Sequence, residues 1–563
     1  MVNQNESTRM QLNFNKQNLT WVLVLGTGLS FNSISVNAQE SVSQDASDTP
    51  AESAPSSSAT QAQPSTFDLF ELRVKGNTKL EKNQLERTLY PFLGPKKSID
   101  NVDLARTALE DLYRTQGYQT VSVDIPEQDV KNGIVYLQVV EGKVSRLKVK
   151  DSRYFSMGAI KAGVPELAEG NVPHFPTMQK QLAALTSESL DRKIQPVLRA
   201  GDTPGTLEVD LKVKDELPFH GRVELNGRNT STTSRLRLVS SMHYDNLWQA
   251  MHSASFMYQV SPENSDQVDV MAGTYALPLF DTGMRLAMYG VKSSSASVAS
   301  AGTTTVLGNG DIFGARLIKT LSSIGNYSHS FTQGIDYKSF KEDLNINSSS
   351  PTTIHTPIEY LPMLTQYSGS LKSEQSFTSF DLALKYSIRG FGNYQAQFEN
   401  KRYLAKANYL YLTTDIKNQY DISNGMQVKT HVTGQVSDSP LISNEQYSLG
   451  GALNVRGYFE TQALADSGVF GSMELHSPNL GELDSEYLNN LKLFTYVDAG
   501  QGWVQSALKG NKSAYSLAAG GAGFNFHIKK YLLAAFDVGF PFISLAPVKA
   551  GEPRLNFNVA TEF

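Results

Sequence analysis

From residue 216 to residue 563 the chain consists largely of short segments that alternate between apolar and polar side chains, and none reaches the ~18 apolar residues of a membrane-spanning helix. In "QVKTHVTGQV", Val428, Thr430, Val432 and Val436 fall on one face of a strand, while Gln427, Lys429, His431, Thr433 and Gln435 fall on the other. "FDLALKYSIR" sets Phe380, Leu382, Leu384, Tyr386 and Ile388 against Asp381, Lys385 and Arg389; "GFNFHI" sets Phe524, Phe526 and Ile528 against Asn525 and His527. A soluble sandwich also alternates. Here, however, the polar face carries Lys, Arg, His and Asp, and tyrosines gather toward segment ends as at a membrane interface. About 350 residues at roughly 20 to 22 per strand and connection make about 16 strands, an even number that closes a barrel.

The amino-terminal end points to export. Arg9 and Lys16 precede the apolar run Leu19 to Phe31, and "SVNA" puts small residues where a signal peptidase reads. Residues 1–38 are therefore expected to be a signal peptide cleaved after Ala38, with translation starting at Met1 or Met10. Residues 39–66 are Ser, Ala, Gln, Pro and Asp with almost no large apolar side chain, which predicts a disordered linker. The absence of cysteine excludes disulfides, thiolate catalysis and Cys-type zinc sites, and a net charge of −5 gives no case for nucleic-acid binding.

Between linker and barrel, one order of elements occurs twice. Residues 67–142 read as a strand "FELRVKGN", a helix around "KNQLERTLYPFL", a helix "NVDLARTALEDLYRTQG" and the strands "YQTVSVDIP" and "GIVYLQVVEG". In the second helix Leu104, Ala105, Ala108, Leu109, Leu112 and Tyr113 recur at helical spacing, with Asp100 placed to cap it and Gly117 to end it. Residues 143–215 repeat the β-α-α-β-β order, ending in "TLEVDLKVKDE", where Glu208 and Asp210 read as solvated-face charges. Residues 216–563 form the barrel.

Within the barrel, "LGGALNVRGYFE" combines glycines, a short turn and one arginine. Gly450, Gly451 and Gly457 supply turn geometry, Tyr458 packs beside the loop, and Val455 precedes Arg456. In the later strand "LKLFTYVDAGQGW", Leu491, Leu493, Thr495 and Val497 alternate with Lys492, Phe494, Tyr496 and Asp498, which puts Asp498 on the lumenal face. A guanidinium and a carboxylate pair bidentately, so the loop is expected to fold back into the pore and dock Arg456 on Asp498. Both a structural tie and a functional latch satisfy that geometry.

With these stretches together, the chain resembles a two-partner (type V) secretion transporter of the hemolysin-activator type, within the outer-membrane assembly superfamily. "LGGALNVRGY" is similar to the superfamily's extracellular-loop motif, and "FTYVDAG", with Phe494, Asp498 and Gly500, to its barrel-wall partner. "GNTKL", "YRTQGY" and "VVEGKV" stand where the family's POTRA domains carry theirs, and "YDNLWQAMHS" and "LGNGDIFGARL" resemble barrel segments. The coverage runs from about residue 67 onward. The resemblance implies a mainly β fold, a 16-stranded transmembrane β-barrel preceded by two periplasmic POTRA domains of β-α-α-β-β order. It implies a lipid-embedded outer-membrane pore that exports an unfolded large exoprotein of adhesin, hemolysin or contact-dependent toxin type, recognised by the POTRA domains. Phe563, on one face with Leu555, Phe557 and Val559, would be the aromatic signal read by the barrel assembly machinery. Linker residues 39–66 lack the apolar stripe of the pore-plugging helix that relatives often carry.

Two other readings compete. An insertase for other barrels shares the superfamily, though that branch usually has more POTRA units. A barrel enzyme would need convergent catalytic groups, whereas His243, His431 and His527 each read as lone lumenal side chains. No phosphate-cradling glycine motif and no H-E-x-x-H occurs, so neither enzyme activity, cofactor nor metal is expected.

Overall fold

The computed structural model describes residues 66–279, 283–295, 298–301, 304–341, 343–345, 353–481, 488–529 and 531–563; the expected signal peptide and all but the end of the expected linker lie outside them. The described chain separates into two compact units, one ending at Leu217 and the other running Pro218–Phe563.

In the first unit the β-α-α-β-β order occurs twice. Glu71–Lys75 pairs parallel with Ile134–Glu141, which pairs antiparallel with Val121–Asp124, and the helices are Lys82–Leu89 and Ile99–Thr115. Ile134–Glu141 buries every second residue, so Val135, Leu137 and Val139 share a core with Val102, Ala105, Leu109 and Tyr113 of the longer helix. Two details of that helix depart from expectation. Ser98, not Asp100, is the N-cap, because Ser98 and Asn101 form a reciprocal capping box and Asp100 lies in the first turn. Leu104 is exposed, since the buried stripe runs through Val102, Ala105 and Leu109.

The segments "GNTKL", "YRTQGY" and "VVEGKV" converge on one carboxylate. Buried Glu141 accepts from the backbone N–H of Thr78 at 2.7 Å and of Lys79 at 3.1 Å, and from the Thr78 hydroxyl. The Tyr113 hydroxyl donates to Asn77 Oδ1 at 2.5 Å, tying the helix to the same corner. Satisfying a buried acid in this way locks three distant segments together.

The second copy runs through Lys143–Lys150, Met157–Ala162, Phe175–Ser187, Arg192–Ala200 and Thr206–Asp215, with the same pairing. Of its acid pair, Glu208 stays partly exposed as expected, but Asp210 does not. Asp210 is buried and bridged by Lys150 at 2.6 Å and Arg199 at 3.4 Å, and Glu208 meets Arg146 at 2.7 Å. These cations come from the two flanking strands, a pairing that linear alternation does not display. Lys150, first of all, holds the Asp210 carboxyl below its ordinary pKa.

The second unit is a closed antiparallel barrel of sixteen strands, from Phe219–Asn226 to Arg554–Glu562, with Ile358–Tyr360 and Pro362–Lys372 forming one interrupted strand. The ring closes where Asn558 to Glu562 pair with Asn226 to Arg222. Alternation sorts side chains as the sequence predicts. Along Leu488–Trp503, Leu493 and Val497 are exposed, while Phe494, Tyr496 and Asp498 are buried. Met242, Phe256, Met271, Met288 and Phe313 lie exposed on consecutive strands, an apolar outer wall suited to lipid. Among the described residues no helix is long and apolar enough to cross a membrane. Inside, Phe398 of the helix Gln395–Lys401, with Tyr409, Leu441 and Ile442, forms a core with the wall residues Tyr289 and Tyr411, so long connections occupy part of the lumen.

Candidate functional site

The segment 449–463 springs from a hairpin of Tyr447–Leu449 and Ala463–Ala465. It bends at Gly450 and Gly451, whose φ angles are +94° and +119°. The tip then lies directly on the wall backbone. A Cβ on Gly539 would sit 2.8 Å from the Gly457 nitrogen, and one on Gly457 would sit 3.2 Å from Pro541. Glycine at 457, with φ +97°, is what this approach requires.

Arg456 and Asp498 meet there, the first 7% exposed and the second 0%. Arg456 Nε donates to Oδ2 and Nη2 to Oδ1, both at 2.8 Å, and the Arg456 backbone N–H donates to Oδ2 at 3.1 Å. This is the bidentate fork. The same guanidinium donates to Glu474 Oε1 at 2.6 Å and Ser472 Oγ at 3.1 Å, and its carbon lies 3.4 Å from the Tyr496 ring centroid. His476 Nε2 in turn lies 2.7 Å from Glu474 Oε2. A planar, permanently charged group thus faces two carboxylates and a π-face, a set of contacts that lysine cannot reproduce.

The remaining expected residues surround this pair. Phe494 stacks on His476 at 5.2 Å and lies beside Tyr496 at 6.2 Å. A Cβ on Gly500 would approach Leu449 to 2.7 Å and Val455 to 3.0 Å, so bare backbone at 500 makes room for the base of the loop. Val455 and Tyr458 share a core with Leu449, Phe470 and Leu517, and the Tyr458 hydroxyl donates to the Ile543 carbonyl at 2.7 Å. Phe563 belongs elsewhere, to the seam. It exchanges backbone hydrogen bonds with Gly221 at 2.9 and 3.0 Å, and its ring lies 6.2 Å from Phe219.

Glu474, Ser472 and Tyr496 were absent from the expected site. Alternation along Ser467–His476 puts Ser472, Glu474 and His476 on one face, but only the register with Leu488–Trp503 brings that face to Asp498. Register also corrects the histidines expected to stand alone. His243 stacks on His220, His431 lies 3.2 Å from Asp415, and His527 lies 3.3 Å from Asn490.

A second buried carboxylate, Asp466, stands at the foot of the same long loop. It accepts from Arg402 Nη1 at 2.5 Å and Nη2 at 2.7 Å, from the backbone N–H of Leu441 at 2.9 Å and Gln505 at 2.7 Å, and from Gln446 at 3.2 Å. No sequence motif pointed to it.

The family model described as haemolysin secretion/activation protein ShlB/FhaC/HecB matches residues 205–526, and the model of the POTRA domain, ShlB-type, matches residues 67–142. The chain is 21% identical to the outer membrane transporter CdiB of Dickeya dadantii (strain 3937), over 88% of this chain and 87% of that one. The solved CdiB from Escherichia coli superposes with a TM-score of 0.62 at 18% identity, covering 91% of this chain and 93% of that one. BamA from Haemophilus ducreyi lacking POTRA domains 1–3 gives 0.55 at 13% identity, covering 88% and 100%. At these identities the structural likeness is one of fold.

Proposed function

The chain belongs to the haemolysin secretion/activation family ShlB/FhaC/HecB, outer-membrane secretion pores with POTRA units in the periplasm, and we propose that it captures one large unfolded exoprotein on those units and passes it through the barrel without nucleotide hydrolysis. The observation that carries the capture step is an open sheet edge. Among the described residues Val121–Asp124 has a neighbour on one side only, and an apolar groove of about 300 Å³, lined in part by Phe67, Ile99, Ile125 and Val130, opens where that strand ends. An extended client adds to such an edge main chain to main chain, and the groove takes alternate apolar side chains. Folding of the client outside the cell supplies direction. In this reading the loop tip holding Arg456 is a latch that leaves Asp498 when the client passes.

Deleting residues 67–142 tests the capture step. Barrel should remain in the outer membrane while client disappears from the medium; normal export would move recognition elsewhere. The BamA-like fold keeps a second reading in view, insertion of other barrels. Depletion of the chain then should lower unrelated outer-membrane proteins, whereas a dedicated exporter leaves them unchanged.

A further inference from the structure

We propose that His220, His243 and Asp245 form a binding site for a divalent transition-metal cation of the zinc type on the lumenal wall of the first hairpin. His220, on Phe219–Asn226, and His243, on Arg237–Leu247, are directly opposite partners in adjacent strands. The next pair, Gly221 and Met242, faces outward, as the exposure of Met242 shows, so the two imidazoles face inward. Their rings stack with centroids 4.7 Å apart and planes 27° apart. Asp245, two residues along, returns to the same face and brings Oδ2 to 3.7 Å from His243 Nε2. Ligand atoms of all three lie within 4.8 Å of one another.

Two imidazoles and one carboxylate match the donors that borderline cations prefer, and they leave a fourth position for water; Mg²⁺ and Ca²⁺ prefer all-oxygen sets. Tetrahedral ligands about 2.0–2.1 Å from zinc stand roughly 3.3 Å apart, so the site must contract by up to about 1.5 Å. Side-chain torsions can supply that, since the His243 and Asp245 side chains are 46% and 38% exposed. The backbone is held meanwhile, by ladder pairing on both sides through Tyr244 and by the Asp245 N–H donating to the Pro218 carbonyl at 2.8 Å. A bound cation would rivet the first strand to the second. That rivet lies next to the seam, where Asn226 to Arg222 make only five pairs with the closing strand.

The test uses the full chain, untagged, in detergent and stripped with EDTA. Titration calorimetry with Zn²⁺ should show one site that H220A and H243A each weaken by about 100-fold or more, and D245N by about tenfold. H252A is the control, because His252 pairs instead with Tyr275 at 2.6 Å. One equivalent of Cu²⁺ on the unmutated protein should show two imidazole nitrogens in its electron paramagnetic resonance spectrum. Zn²⁺ should also raise the temperature at which the barrel loses its compact gel mobility, in wild type but not in H243A. If H220A or H243A fails to assemble, H243Q and the copper spectrum still decide. Equal zinc affinity in wild type and the assembled variants, no binding at all, or a copper spectrum with fewer than two nitrogens would overturn the proposal.

Discussion

Asp498 and Asp466 are both fully buried carboxylates that hold an arginine, yet they tie different things together. Asp498 sits mid-strand on the wall, and beyond its own strand its hydrogen-bonded partner is Arg456, through side chain and backbone. Asp466 sits where the long loop meets its strand, and it joins Arg402 from the 388–409 connection, Leu441 and Gln446 from the start of the long loop, and Gln505 from the following connection. One is a single fastening of a tip to a rigid surface. The other is a knot among segments that have no strand of their own. Releasing the fastening frees one side chain, Arg456, from Asp498, Glu474 and Ser472 together; undoing the knot disturbs three connections at once.

The largest effect on export is expected at the fastening. Leaving one member of a buried pair unmatched costs roughly 3–5 kcal/mol. Lumenal water should reduce this to about 2 kcal/mol, still a shift of ~30-fold between docked and undocked tip. Arg456→Ala and Asp498→Ala should therefore remain in the membrane and each export far less client, measured as client in the medium per assembled barrel. The double variant should be little worse than either, since one interaction is lost once; losses that add would show that the two residues act separately.

The reciprocal exchange, Arg456→Asp with Asp498→Arg, tests whether the pair alone holds the tip. Glu474 is bonded to Arg456 at 2.6 Å, so an aspartate at 456 would face a second acid, and export should not recover. Recovery would mean that Glu474 contributes nothing to holding the tip.

At the knot, Asp466→Ala should reduce export less than the 456 and 498 variants. It should instead expose the 388–409 connection to protease added outside the cell and raise pore conductance in planar bilayers. An export loss as deep as that of Asp498→Ala, with protease resistance unchanged, would erase the distinction between the two carboxylates. The smallest effect is expected at Phe563→Ser, a modest drop in assembled barrel read by heat-modifiable mobility on gels, with export per barrel unchanged.

Much of this architecture is legible in the sequence because a strand's period is two. Alternation alone puts Asp498 inside and Leu493 and Val497 outside, and strand spacing leads to sixteen. What lies beside what is a different matter. Register belongs to pairs of strands, and a shift of one residue exchanges both faces. For that reason the sequence alone does not assign Glu474 and Ser472 to Arg456, does not show that His220 faces His243, and does not show that Lys150 and Arg199 cover Asp210. Asp466 was hidden for a further reason. Its partners come from irregular connections, where no period exists to extrapolate.

The ring closure poses a problem of timing. Arg222 and Glu562, bonded across the seam, stand 340 positions apart in the chain. Everything between them must be delivered before they can meet, and the entropy of joining such distant ends opposes the meeting until then. Throughout that interval the opening strand carries a free row of N–H and C=O groups, and so does whichever strand has most recently arrived. The finished cylinder has no edge to offer a stray chain; its precursor has two, for as long as delivery lasts.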